Sequence, residues 1–185
     1  EQPAETPDPV VLAEWVEISA EGMSDTQKAQ QELCLAATNA LASEMMGELM
    51  AALDYDDPTA GITVCGAKAP AIAAQISTDY GVRIGRTSHK LRNPANAAPQ
   101  WAKQIVADQV GQPTYLAGPQ GEFGALLPIR LKAECQMCHG SPGEIDESIQ
   151  IALAEHYPED QATGFVEGDL RGWFWIEAPP GETAS

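Results

Sequence analysis

The sequence predicts an α+β fold: helices first, then a small antiparallel sheet. Three observations lead there. An apolar repeat of four runs through residues 26–53, far too long for a strand. Short β-patterned runs appear only after residue 82, separated by turn signals. Hydrophobic residues make up 44% of 185 positions, enough for the core of one domain. The domain is placed at 10–178, between a Pro- and Glu-rich tail at 1–9 and a second tail at 179–185.

Taken in order, residues 10–19 carry Val11, Leu12, Trp15 and Val16 as a short amphipathic helix. Ser24 or Asp25 caps the long helix, whose stripe is Leu33, Ala37, Leu41, Met45, Leu49 and Leu53. Asp57-Pro58 starts the next helix, which contains Ile62, Cys65 and Lys68. Pro70 lacks an amide proton and is expected to break or kink it. A further piece through Ile72 and Ile76 ends at Tyr80-Gly81. Residues 82–88 read as a strand, 93–99 as a turn-rich loop, and Pro99 as the start of a helix through Trp101 and Val106. Strands at 114–117 and 123–131 flank the turn Gly118-Pro-Gln-Gly121. A helix at 144–156 and an aromatic strand at 171–176 complete the chain.

The formal net charge is −17. Such a chain repels phosphate and anionic lipid, which argues against nucleic acid or a membrane surface as partner. No apolar run approaches the roughly 20 residues that span a bilayer, so no transmembrane segment is expected. The charge is uneven. Residues 1–60 hold one basic and thirteen acidic side chains, a net of −12. Residues 61–107 hold six basic and one acidic, +5; residues 108–185 hold three and thirteen, −10. The positive stretch is either a solvated face that relieves self-repulsion or a seat for a small anionic group.

Cys135-Gln-Met-Cys138-His139 carries the chemistry. C-x-x-C-H is the attachment pattern of haem c: two thiols add to the vinyl groups and the adjacent His ligates iron. Zinc held with Cys34 and Cys65, a thioredoxin-like pair and a structural disulfide are the rivals, and none requires the trailing His. One covalent haem c is therefore expected. Attachment takes place in the periplasm or its equivalent, so the chain is expected to be exported with its signal peptide removed, in keeping with its start at Glu1. Cys34 and Cys65 remain. They pair as a disulfide, or one of them ligates the iron opposite His139; His89, His156, five Met residues or an open position compete for that place.

Four blocks resemble a family of single-haem, PAS-like c-type cytochrome domains of uncertain physiological role. They are Thr63-Val-Cys65-Gly-Ala-Lys68-Ala-Pro70-Ala-Ile72-Ala, the run Val82-Arg-Ile-Gly85-Arg86-Thr87-Ser88-His89-Lys90-Leu91-Arg92-Asn93-Pro94-Ala-Asn96, the haem motif with Gly140, and Tyr157-Pro158-x-Asp160-x-Ala162-x-Gly164-Phe165-x-x-Gly168-Asp169-x-Arg171-Gly172. The resemblance implies a PAS-like sheet with helices on one side, and Cys65 as the partner of His139 on iron. It departs at His89, where the family usually has Leu, and at Trp173-Phe174-Trp175, where it usually has small residues. Arg86, Lys90 and Arg92 are then the expected partners of the haem propionates. Asp169 and Arg171 are expected to pair in a turn. Thiolate ligation lowers the potential, and its loss on reduction would open a site for a diatomic gas. The function expected is a periplasmic redox or gas sensor that signals to a partner. The alternative is a one-electron carrier between larger complexes. In either case an unidentified redox or signalling protein with a cationic docking face is the expected partner. No catalytic residue set is found, and enzyme activity is left open.

Overall fold

The computed structural model describes residues 15–53 and 59–181. The expected tail at 1–9, residues 182–185 of the expected tail at 179–185, part of the expected helix at 10–19 and the start signal Asp57-Pro58 lie outside the described residues.

A five-stranded antiparallel sheet is the organising element. Its strands are β1 (Val16–Glu17), β2 (Arg83–Thr87), β3 (Thr114–Ala117), β4 (Phe123–Arg130) and β5 (Leu170–Ala178), in the order β1-β3-β4-β5-β2. The expected α+β class holds. At 15–17, however, the chain is extended rather than helical, and Val16 lies opposite Ala117 at the sheet edge. The aromatic and β-branched residues around it suit a pleated edge as well as a short helix.

Helix α1 (Asp25–Leu53) crosses one face of the sheet. Ser24 caps it, its Oγ accepting from Gln27 N–H. Its buried face is Gln30, Cys34, Ala37, Thr38 and Leu41, so Cys34 sits in the middle of the stripe and Leu33 at its margin. The polar member, Gln30, donates from Nε2 to Gly121 O and Pro179 O. Phe123, Ala125 and Leu127 of β4, with Ile176 and Ala178 of β5, meet α1 through the two-residue alternation of a strand. Leu126, Trp173 and Trp175 point the other way and are covered by Ala102, Ile105 and Val106. The second layer comes from a helical turn at Gln100–Ala102 and α4 (Lys103–Ala107). Helical segments therefore lie on both faces, not one. The Trp-rich strand is core: Trp173 is fully buried and its Nε1 donates to Val110 O.

The helical run after residue 59 does not break at Pro70. α2 (Ala60–Thr63) continues through a π-turn at Val64–Lys68 into α3 (Ala69–Tyr80). One wider turn carries the helical run past the proline, and Pro70 falls in the first turn of α3, where its ring and fixed φ are tolerated. α3 ends at Gly81, whose φ of 63° is the left-handed C-terminal cap.

Candidate functional site

The cysteine motif folds as one short helical piece, a 3-10 turn at Ala133–Cys135 followed by α5 (Gln136–His139). Helical spacing of three puts Cys135 and Cys138 on one side. Gly140 ends the turn, and its N–H donates to Gln136 O at 2.7 Å. A Cβ at Gly140 would stand 2.6 Å from that same backbone oxygen, which cannot yield, so the turn requires glycine here.

A bracket of polar contacts holds this piece. Arg92 Nε donates to Asp160 Oδ2 at 3.0 Å, while its Nη2 donates to Cys138 O at 2.6 Å and to Ala162 O at 3.3 Å. The second oxygen of Asp160 accepts from Ala162 N–H at 2.7 Å. Ala162 O lies 2.7 Å from His139 Nδ1. A carbonyl can only accept, so Nδ1 carries the proton and Nε2 keeps its lone pair. Burial, reinforced by the charges of Arg171 and Arg92, holds the imidazole well below its usual pKa and therefore neutral. Neutral imidazole with Nδ1 tied to a carbonyl is a metal-binding form of histidine.

Cys135, Cys138 and His139 open on one cavity of about 950 Å³, and so does Cys65 from the π-turn. That volume is at the upper end of ligand pockets, roughly 300–1,000 Å³, and has room for a macrocycle. Its far wall is the second half of α1, with Met45, Met46, Leu49 and Leu53. The ends of β2, β4 and β5 and the loop after β2 also line it. Burial raises the Cys135 and Cys138 thiols above their ordinary pKa, with Arg92 drawing Cys138 partly back. Among the described residues no group of three or more His, Cys, Asp and Glu is gathered as a metal cluster. Cys34 is buried at 0% exposure in the core under the sheet, and all four cysteines are free, so the Cys34–Cys65 disulfide does not form. The antiparallel sheet likewise lacks the βαβ setting of a thioredoxin motif.

The cationic residues sort differently from the sequence expectation. Arg86 lines the cavity, with burial pulling its pKa down against the opposing pull of Cys65. Arg92 also lines it, but its guanidinium is committed to Asp160 and two carbonyls, at 10% side-chain exposure against 12% for Asp160. Lys90 does not line the cavity: its Nζ lies 4.9 Å from the Phe165 ring centre and donates to Thr163 O. Arg171 takes its place. It makes no ion pair with Asp169, whose carboxylate accepts from Val166 N–H instead. Arg171 Nη1 donates to Ser88 Oγ at 2.9 Å and lines the cavity, its pKa lowered to about 10 by burial and by Arg92 and Arg86. The cause is a register shift beside Arg130: Ile129 faces Gly172 and Arg130 faces Leu170, which leaves Arg171 as the extra residue of a bulge. No feature of the sequence marks that bulge. His89 does not line the cavity either; its ring stands edge-on to Phe165 and Trp173, at 5.9 and 6.0 Å between centres. His156 ends α6 (Glu147–His156), away from the cavity wall. Met45, Met46, Met50 and Met137 are on the wall, whereas Met23 is in the core.

Four arginines, Arg86, Arg92, Arg130 and Arg171, thus line one cavity; among the described residues only Arg92 of these is ion-paired, with Asp160, while Arg130 Nη2 donates to Gly111 O. Glu134 and Glu167 also line the wall but form no ion pair with them. An anionic group in the cavity would balance Arg86 and Arg171. The donor set, the thiol pair, the volume and these unpaired cations all fit a haem with its two carboxylates.

Residues 11–179 match the family model for Tll0287-like proteins, and the chain belongs to that family. Among solved structures it is similar to the cyanobacterial heme-protein Tll0287. The two share 24% sequence identity over 84% of this chain and 98% of that one, with a TM-score of 0.63. No curated protein matches.

Proposed function

We propose that this Tll0287-like protein carries one covalently attached haem c in the periplasm and acts as a low-potential redox or small-ligand sensor. The observation that carries the reading is that Cys65, Cys135, Cys138 and His139 face one cavity. Kinship with a family named for a heme-protein supports the same cofactor class. Cys135 and Cys138 would hold the macrocycle by thioethers, and His139 the iron through Nε2. Cys65 would supply a further iron ligand from the π-turn. Arg86 and Arg171 would meet the haem carboxylates, while Arg92 braces the attachment turn. When bound, the haem supplies one-electron Fe(III)/Fe(II) chemistry at a potential that thiolate ligation lowers. Sensing is placed before electron carriage because loss of the Cys65 bond on reduction would open a place on the iron for a diatomic ligand.

Absorption and EPR spectra of wild type and Cys65→Ala, oxidised and reduced, test this. Wild type is expected to give a ferric low-spin spectrum of thiolate character that the variant lacks. An unchanged spectrum in Cys65→Ala would remove Cys65 from the iron. Reduced protein that binds carbon monoxide supports the sensor, and reduced protein that refuses it supports a carrier.

A further inference from the structure

The helical run that presents Cys65 leaves the carbonyl of that residue without a backbone donor. At the π-turn, Ala69 N–H reaches back five residues to Val64 O. The next residue is Pro70, which has no N–H. Cys65 O therefore loses both amides that could meet it: one is directed elsewhere and the other does not exist. A part-buried carbonyl left unpaired is costly, and native structures supply a partner.

The partner here is a side chain from the sheet. Arg86 Nη2 donates to Cys65 O at 3.3 Å. Arg86 is held in β2 opposite Phe174 of β5, so its backbone cannot drift. Two other contacts frame the same turn. Lys68 is ion-paired with Glu48 of α1. The Tyr157 hydroxyl occupies the space where a Cβ at residue 66 would stand, so Gly66 lets the tyrosine close against the turn. Of the three, only Arg86 grips the peptide unit of Cys65 itself.

We infer that Arg86 is a positioning residue: by taking over the task of the amide that Pro70 lacks, it fixes the Cys65 peptide and hence the direction in which Cys65 Sγ faces the cavity. The inference rests on the reading of Cys65 as an iron ligand. The Cys65 carbonyl engages one Nη2 proton, and the rest of the planar fork stays available to an anion.

The test uses holoprotein in four forms: wild type, Arg86→Met, Pro70→Ala and the double variant. Pro70→Ala returns an amide that can reach Cys65 O, so it is expected to keep the thiolate low-spin EPR signal. Arg86→Met is expected to lose that signal in most molecules, and the double variant to regain it. In denaturant unfolding, Arg86→Met should lower the folding equilibrium constant about ten-fold when Pro70 is present and little in the Pro70→Ala background. Should Arg86→Met fail to fold, the double variant must still match Pro70→Ala in both readouts. A full signal in Arg86→Met overturns the inference. So does a loss that Pro70→Ala leaves unrepaired, which would assign the effect of Arg86 to its charge. If Cys65→Ala keeps the wild-type spectrum while the coupling between positions 70 and 86 persists, the contact is a structural lock and the role toward the ligand falls.

Discussion

Cys34 shows how a single residue can be legible in count and opaque in role. Cysteine arithmetic separates it from the haem motif, yet nothing local says whether it bonds, ligates or packs. The answer comes from α1, which places Cys34 at the centre of its buried face. Burial lifts the thiol to a pKa of about 12, against the opposing pull of a hydrogen bond with the Ala178 backbone. An unfolded thiol ionises near 9. Between about pH 9 and 12 the unfolded chain has released this proton and the folded one has not, so stability falls as pH rises through that window. The slope is about 1.4 kcal/mol per pH unit for one proton. Cys34→Ala should flatten that alkaline slope in denaturant titrations, whatever it does to stability at pH 7. Arg171 is the opposite case. Sequence pairs it with the nearby Asp169, but the bulge beside Arg130 carries it to the cavity. Lys90 and Arg92 share a charged segment with Arg86, yet only contacts distant in sequence, with Thr163 and Asp160, reveal that their donors are already used.

At the scale of elements, the long helix, the β3–β4 turn and the β2 and β5 strands were readable because each carries a local signal of period, cap or turn residue. Two elements were not. Residues 15–17 pair with β3, and pairing between distant segments leaves no trace in a local pattern. The π-turn was hidden because the rule for proline in a helix foretells a break, whereas the chain widened one turn and put Pro70 at the start of the next helix. Gln30 is a polar residue on a helix face that otherwise packs, and it ties α1 to both the β3–β4 turn and the chain after β5 through two carbonyls. Gln30→Met keeps the volume but leaves Gly121 O and Pro179 O without this donor. The expected cost is about 1–3 kcal/mol, read as a lower denaturation midpoint with an unchanged m-value.

Across the whole molecule the basic stretch at 61–107 divides between inside and outside. Arg86 and Arg92 turn inward to the cavity, while Lys68 and Arg83 pair with Glu48 and Glu177. The chain as a whole carries a net of −17, so its outer surface is strongly anionic. For the haem-loaded protein, reduction by a small cationic complex should slow as salt rises, and reduction by an anionic complex should speed up, as screening shortens from about 10 Å at 0.1 M to about 3 Å at 1 M. Stopped-flow rates that ignore ionic strength would show that the outer charge steers nothing. The C-x-x-C-H motif could be read from five consecutive letters. The cavity could not, because it is assembled from widely separated segments. That cavity bears on more than electron traffic. The first half of α1 rests on the sheet, but from Met45 onward its apolar side chains line the cavity. Whatever fills the cavity therefore also serves as core for that half of the helix. On the proposed haem reading, loading the cavity would complete the packing of this stretch, and a chain without haem would leave it more open to proteolysis.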